Sequence, residues 1–392
     1  MHIVQRMRQL SRHLLLFLSI CSCCVCGCTG TLYAQDSAGI AVHGFVSQGF
    51  LFSSSNNYLS MKSSDGSLQW TDGAVTISDS LGDNLHVGIQ LHMYQLGEFG
   101  GSNLQVDWAS GDYRVNDHFG IRAGKVKTVW GLFNDSQDID AVFLWILLPQ
   151  GSYPIDHKSF YLAHVGGDVY GALFLGKRAG TLHYDGYAGQ ATVDLNDGYI
   201  KQFADLGLVF TNSLGGKTYG GDVRWETPVK GLDIGASGNV QAVDGTAPTG
   251  SIHVPPTFTP SMYAKFSRGK VYLAAEYDRE PINATITIGS TLFPFVADGR
   301  SWFAMGSYRL SKKFQAGTYY SHYVNKAGDT TQPANYSKDW VLSGRYDFNQ
   351  YFYTKLESHF LHGTALGYYT SNNPNGLAPD SKMLAAKIGF TF

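Results

Sequence analysis

The sequence predicts an all-β fold, a transmembrane antiparallel β-barrel, and three observations carry that reading. Charged residues make up 15% of the 392 positions, well below the usual quarter. Aromatic residues make up 14% and glycine fills 46 positions, yet 44% of the chain is apolar, so its composition is not that of a disordered chain. No uninterrupted apolar run reaches about 18 residues, which argues against helical spans. The net charge of −2 excludes a strongly basic nucleic-acid binder.

The first 34 residues have the pattern of a secretory signal. Arg6, Arg8 and Arg12 precede a mostly apolar stretch from Leu14 to Val25, and Leu32-Tyr33-Ala34 offers a cleavage site after Ala34. Val25-Cys26-Gly27-Cys28 loosely resembles a lipoprotein site, which leaves lipidation at Cys28 as an alternative. All five cysteines (Cys21, Cys23, Cys24, Cys26, Cys28) fall in this segment. Residues 35–392, read as a single barrel domain, therefore hold no disulfide and no thiolate metal site. They carry 26 basic and 31 acidic residues, a net −5.

Within that domain the period of the sequence is two. Leu85, Val87, Ile89, Leu91 and Met93 alternate with His86, Gln90, His92 and Tyr94. Tyr219, Val223 and Trp225 alternate with Asp222, Arg224 and Glu226, and Leu232, Ile234 and Ala236 with Asp233, Ser237 and Asn239. Phe352, Leu356 and Phe360 alternate with Lys355, Glu357 and His359. A soluble sandwich alternates too. The barrel is favoured by aromatic residues near strand ends (Trp70, Trp108, Trp225, Trp302, Trp340, Tyr346, Phe348), as interface girdles require, and by a terminal Phe392 that shares a face with Phe390, Ile388 and Leu384.

Connections alternate between short and long. The short ones are polar turns at 82–84, 115–117, 176–180, 227–231, 267–269, 311–313 and 349–350. Strands placed around them fall at 40–52, 68–78, 85–96, 103–114, 118–126, 168–176, 181–190, 217–226, 232–241, 260–267, 270–279, 301–310, 314–323, 338–347, 352–361 and 382–392. Sixteen is even, which returns both termini to one side. Residues 200–211 are assigned to an ordered part of a loop, because a strand there would put the 227–231 turn on the wrong side. Two extra strands, making eighteen, are the alternative.

A barrel of sixteen strands is wide enough for an aqueous channel. The inward sets are polar and mixed in sign: Arg122, Arg224, Arg345 and Lys355 on the basic side, and Asp222, Glu226, Glu276, Glu357 and His359 among the other lumen residues. The longest connection, about 127–167, is long enough to be functional. Its apolar run from Ala141 to Leu148 should pack on the inner wall or on a neighbouring subunit. Folded into the lumen, this loop would bring Asp135, Asp138 and Asp140 to the pore, opposite the basic wall, and give a weak cation preference. Lys125 and Lys127 share parity with Phe119, Ile121 and Ala123, so either the strand ends before them or a bulge changes the parity.

Several segments resemble the sixteen-stranded porins of Gram-negative outer membranes: His43-Gly44-Phe45-Val46-Ser47-Gln48-Gly49-Phe50, Gly111-Asp112-Tyr113-Arg114, Ile121-Arg122-Ala123-Gly124-Lys125-Val126-Lys127, Gly131-Leu132-Phe133-Asn134-Asp135, Ile146-Leu147-Leu148-Pro149-Gln150 and Lys387-Ile388-Gly389-Phe390-Thr391-Phe392. The resemblance spans residues 40–392. It implies a homotrimer in the outer membrane, in contact with its lipid and lipopolysaccharide, and a third loop inside the channel. It also implies recognition of the terminal strand, with Phe390 and Phe392, by the barrel-assembly machinery. Porins of the best-known kind carry Pro-Glu-Phe-Gly-Gly in the third loop. Here Glu98-Phe99-Gly100-Gly101 lies in the second loop and is taken as a hairpin turn.

The expected activity is passive diffusion of small hydrophilic solutes and ions, with no cofactor, no metal and no nucleic-acid partner. A substrate-selective uptake channel of the same fold is the alternative. A barrel enzyme would need a Ser/His/Asn or Asp/His arrangement near the outer rim. The chain has no Gly-x-Ser-x-Gly element.

Overall fold

The computed structural model describes residues 39–326 and 329–392. The signal assigned to residues 1–34, with its cysteines and the Cys28 site, lies outside the described residues. The strands are β1 (Ala41–Ser53), β2 (Ser67–Ser80), β3 (Leu85–Leu96), β4 (Gln105–Asn116), β5 (Phe119–Lys127), β6 (Ala163–Phe174), β7 (Thr181–Val193), β8 (Leu214–Glu226), β9 (Leu232–Ala247), β10 (Gly250–Arg268), β11 (Val271–Ile288), β12 (Thr291–Arg309), β13 (Phe314–Val324), β14 (Tyr336–Asp347), β15 (Phe352–His362) and β16 (Asp380–Thr391).

Each strand pairs antiparallel with its chain neighbours, and β16 closes on β1. The closing seam runs from Phe45 opposite Thr391 to Ser53 opposite Met383. Gly44 and Phe392 exchange backbone hydrogen bonds of 3.0 Å each way. Closure matters because an open edge in lipid would strand a row of unpaired N–H and C=O groups. All sixteen expected strands are present among the described residues. The eighteen-strand alternative is overturned: residues 200–205 lie in a helix, α1 (Gly198–Asp205), capped by the Asp197 side chain accepting from Tyr199 N.

The largest departure from expectation is on one side of the barrel. β9 to β12 have 16, 19, 18 and 19 residues. At about 3.3 Å per residue the longest reach about 60 Å, far more than the apolar band needs even when tilted. They form a wall rising well beyond the membrane. The sequence hid it behind prolines, which weaken a strand assignment. Pro255 and Pro256 sit where β10 slips register against β9, between Val254 and Thr257, so neither is asked for a ladder hydrogen bond. Beneath this wall α1 packs Ile200 and Phe203 against Val243, Ile252, Ala284 and Ile286, with Leu208, Phe210 and Leu214 completing a dry cluster.

The Glu98-Phe99-Gly100-Gly101 segment does turn the chain from β3 to β4, with Leu96 and Phe99 exchanging backbone hydrogen bonds of 3.1 and 3.0 Å. Phe99 also joins a buried cluster with Leu51, Tyr58, Met61, Trp70, Ile146, Leu147 and Tyr369, so four connections meet over the β1–β3 and β15–β16 side.

Asp197 gives α1 a pH dependence. Burial pushes its carboxyl up to about 6, against the opposing pull of His157, Ser159 and Tyr199. A carboxyl raised in the folded state contributes stability below its unfolded value of about 3.9, and that contribution is lost as pH rises to 6. The segment around α1 should therefore exchange its amide hydrogens more slowly at pH 4 than at pH 7, after correction for intrinsic rates. Asp197→Asn should flatten that difference while keeping the cap. An unchanged pH difference in the variant would refute this assignment.

Candidate functional site

The loop between β5 and β6, residues 128–162, is the feature a plain barrel does not need. It starts at a bend. Gly124 has φ +131, and an added Cβ would meet Ala109 O at 2.3 Å, so only glycine fits. Beyond the bend Lys125 donates to Val106 O at 2.7 Å. Lys127, the last residue of the strand, lies 2.5 Å from Asp107 and 2.7 Å from Asp138. The strand therefore does not end before these two lysines, since Lys125 pairs with Val165 and Lys127 with Ala163; the irregularity lies at Gly124 and at the bulge in β4, where Asp107 has no partner in the β3 ladder. Gln90 donates to both carboxylates, at 2.9 and 2.7 Å. Asn134 ties the neck of the loop, donating to Thr128 O at 2.7 Å and Tyr161 O at 2.8 Å.

From the neck the chain crosses to β9–β12. Gly131 N donates to Ser237 Oγ at 2.7 Å and Trp130 Nε1 to Thr259 O at 3.2 Å. Glu276, buried on β11, accepts from Leu132 N at 3.0 Å and from Tyr153 OH at 2.7 Å. Burial and Glu276 together push the Tyr153 phenol far above its ordinary range, so it stays a donor.

The loop then runs over β13–β16. Asp140 accepts from Tyr353 OH at 2.6 Å and lies 3.1 Å from Lys355 and 2.9 Å from Lys387. Burial disfavours its charge, but the two ammonium groups outweigh burial and hold the carboxyl well below its ordinary value. Lys355 also donates to Asp140 O at 2.6 Å and Trp145 O at 3.1 Å. Arg345 donates to Ala141 O and Phe143 O and pairs with Asp347 at 2.8 Å. Glu357 accepts the N–H groups of Ile146 and Leu147 at 3.0 and 2.9 Å. His359 bridges Glu357 and Asp339 at 3.0 and 2.7 Å. Leu144, Trp145 and Leu148 pack with Phe133, Phe303, Tyr319 and Val341. The apolar run therefore lies on the barrel's own inner wall.

These contacts correct several sequence-based expectations. Asp138 and Asp140 are buried and ion-paired, Asp138 with Lys127 and Asp140 with Lys355 and Lys387, and so are not open to a pore. Arg345 and Lys355 are not an open basic wall: they hold the loop by its carbonyl oxygens. Glu276, Glu357 and His359 point inward as expected, but the loop covers them. Asp135 is the one of the three loop aspartates that is exposed. On the far wall Arg122 pairs with Asp185 and lies 3.6 Å from Asp168. Asp222 accepts from Tyr263 OH at 2.8 Å and lies within Coulombic reach of Arg224 and Asp135. Glu226 is exposed at a strand end, 3.6 Å from His183. Phe390 and Phe392 lie on the closing strand, with Phe390 packed on Phe352 at 4.8 Å between ring centres.

Sequence reasoning placed Asp107 and Gln90 on inward polar faces and missed Lys387, Tyr353 and Tyr153. Lys387 and Tyr353 were legible in part, since both sit at inward positions of strands drawn correctly. What they face depends on where the loop lands.

No family model and no curated protein matches the sequence. Solved structures do. Salmonella typhi OmpF, in a complex with daunomycin, aligns with a TM-score of 0.58 at 12% identity over 90% of this chain and 97% of that one. The anion-selective porin from Comamonas acidovorans aligns at 0.56 and 13% identity, over 90% and 98%. The outer membrane protein OmpT of Vibrio cholerae, in a trimer form, aligns at 0.54 and 11% identity, over 91% and 100%. Likeness at this identity speaks for the fold alone, and it agrees with the strand count, the closure and the shape of the sheet: the chain is a porin-like sixteen-stranded β-barrel.

Proposed function

We propose that the protein is an outer-membrane porin through which small hydrophilic solutes and ions diffuse passively. One observation carries this reading. Loop 128–162 is fastened to the inner faces of β9–β16 and meets β5 and β6 by side chains only near its neck, at Lys127 and His164, so that Arg122, Asp185, Asp222 and Arg224 make no hydrogen bond to it. A water path along that wall would be bordered by Asp135 on the loop side. Facing water, the wall's charges cost little and set the field that a solute feels.

That field supports the weak cation preference, with Asp135 kept from the three loop aspartates first named and the rest carried by the far wall. Along β5 to β10 the inward set that is not buried holds Arg122, Arg224 and Lys265 against Asp185, Asp222, Glu226 and Asp233, with Asp135 added from the loop. Three cations face five carboxylates. The trimer is supported by the trimer form of the Vibrio cholerae neighbour. In this reading the terminal strand with Phe390 and Phe392 serves assembly, and no cofactor takes part.

An enzymatic reading gains little. A hydroxyl–imidazole–carboxylate chain does occur, with Thr128 Oγ1 3.0 Å from His164 Nδ1 and His164 Nε2 2.8 Å from Asp168. All three are buried where β5 gives way to the loop, so a substrate has no access.

Planar-bilayer conductance of the mature chain under a potassium chloride gradient tests the reading. The expected result is stepwise conductance with a reversal potential of cation-selective sign. Asp135→Asn should move that potential towards zero, and Asp222→Asn should move it further. A folded, inserted barrel without steps would exclude the diffusion pore.

A further inference from the structure

The tall wall is parted at one place. The β10–β11 ladder runs from Arg268 opposite Val271 to Ser261 opposite Asp278, stops, and resumes at His253 opposite Thr285. Between those points residues 254–260 and 279–284 do not pair with each other. Pro255, Pro256, Pro260 and Pro281 fall in this stretch, where a residue without an N–H costs no hydrogen bond between the two strands. Each strand keeps its other neighbour: Phe258 lies opposite Val240 of β9, and Glu280 opposite Gly299 of β12. The barrel thus stays closed above and below a local gap.

At the gap lies a cavity of about 70 Å³. Thr257 of β10 and Glu280 and Ile282 of β11 form one side, and the returning end of the long loop faces them with Phe160 and Tyr161. Tyr199 of α1 completes the lining. The three rings stand at different angles: Phe160 is edge-on to Tyr161 at 4.5 Å between centres and tilted to Tyr199 at 5.5 Å. Trp130 stacks on Tyr161 at 5.4 Å and fixes that ring. The volume is several times the about 15 Å³ that one water needs. It is well below the about 300 Å³ of pockets for whole drug-sized ligands. Such a space takes one end of a solute.

Glu280 has no counter-charge there. Its Oε1 accepts from Tyr161 OH; among the described residues its Oε2 makes no hydrogen bond, and no lysine or arginine nitrogen lies within 4.0 Å of the carboxylate. Arg279, the preceding residue, pairs with Asp298 at 2.6 Å. His157, also at the cavity, has its Nε2 3.3 Å from Gln202 and 3.9 Å from Asp156. Glu276, earlier on the same face, is by contrast filled by donors from the loop. A carboxylate half-buried among rings without a cation is costly, and a bound cation would supply the missing charge. The faces of the rings attract the same sign.

We propose that this cavity binds the methyl-substituted ammonium group of a small cationic solute, with its charge against Glu280 and its methyl groups against Phe160, Tyr161 and Tyr199. A primary ammonium carries three N–H donors, and most of them would face ring carbon. Methyl groups in their place make apolar contact and leave the charge to the ring faces and the carboxylate. A hard metal ion demands more oxygen ligands than one carboxylate offers. A neutral apolar group would leave Glu280 unpaired. As a station on a solute's path the site rests on the channel reading; as a binding site it does not.

Isothermal titration calorimetry of the full mature chain, folded in detergent, tests the proposal. Choline chloride is the probe, and 3,3-dimethyl-1-butanol is its uncharged isostere. Choline should bind, and the alcohol should not at the same concentration. Glu280→Gln keeps an acceptor for Tyr161 OH and should lose about ten-fold in choline affinity. Tyr199→Leu removes one ring face and should lose about as much, whereas Tyr199→Phe keeps the ring and should bind as the parent does. Equal choline affinity in the parent and Glu280→Gln, equal binding of the two probes, or no choline binding at all would each overturn the site. Should Glu280→Gln not fold, Tyr199→Leu carries the same test, and an affinity equal to the parent's overturns it. Calorimetry needs no conduction. Choline binding by a barrel without conductance steps would support the site and count against the channel reading alone, and a conducting barrel that does not bind choline would do the reverse.

Discussion

Lys355→Met should raise single-channel conductance and make the current noisier, while the barrel becomes easier to unfold in urea. Lys355 is 1% exposed and holds the loop at three points, the Asp140 carboxylate and two backbone carbonyls. Removing one partner of a buried ion pair typically costs about 3–5 kcal/mol. The lower end applies here because Lys387 still neutralises Asp140 at 2.9 Å. Part of that loss appears as loop release and part as global stability, because the loop's apolar run also fills the inner wall. The sign with pH follows from the carboxyl's depressed value. A depressed acid contributes fully above its unfolded value of about 3.9 and loses its contribution only as pH falls through the folded value. The parent loop should therefore stay docked through mildly acid pH, and Asp140→Asn should remove the acid limb of the profile. Unchanged conductance and unchanged urea midpoint for Lys355→Met would mean the clamp does not hold the loop.

Glu357→Ala should have the second large effect. Glu357 is fully buried and accepts two backbone N–H groups of the loop together with a contact from His359. An alanine leaves two buried donors without acceptors, at about 1–3 kcal/mol each, and leaves His359 facing Asp339 alone. We expect the 144–148 segment to detach from β13–β15, with conductance rising and protease sensitivity appearing in the loop. Glu357→Gln keeps one acceptor oxygen and should lie between parent and alanine variant. A conductance for Glu357→Ala equal to that of the parent would falsify the assignment of this side chain as a loop anchor.

Both predictions concern residues that the alternation places on an inward face and whose partners it leaves open. Alternation of side chains along a strand is a local property with period two, so it identifies the face from the sequence alone. Lys355, Glu357 and His359 follow this rule. What an inward charge meets is a long-range property. Asp140 and Lys355 are 215 residues apart, and nothing near either one encodes the other.

The strand count, the closed topology and the position of the long third loop were set by the chain's own pattern: alternating runs of about ten residues, polar turns at every second joint and an even total. The helix Gly198–Asp205 was legible as an ordered segment but not as a helix, since its apolar face is completed only by the wall above it. The height of β9–β12 was masked by prolines that a register slip accommodates. The assignment of charges to clamp or to lumen was decided by the tertiary structure alone. A carboxylate and an ammonium group behave alike in sequence whether they face water or each other, and only packing the loop on its wall determines which of them the solvent still reaches.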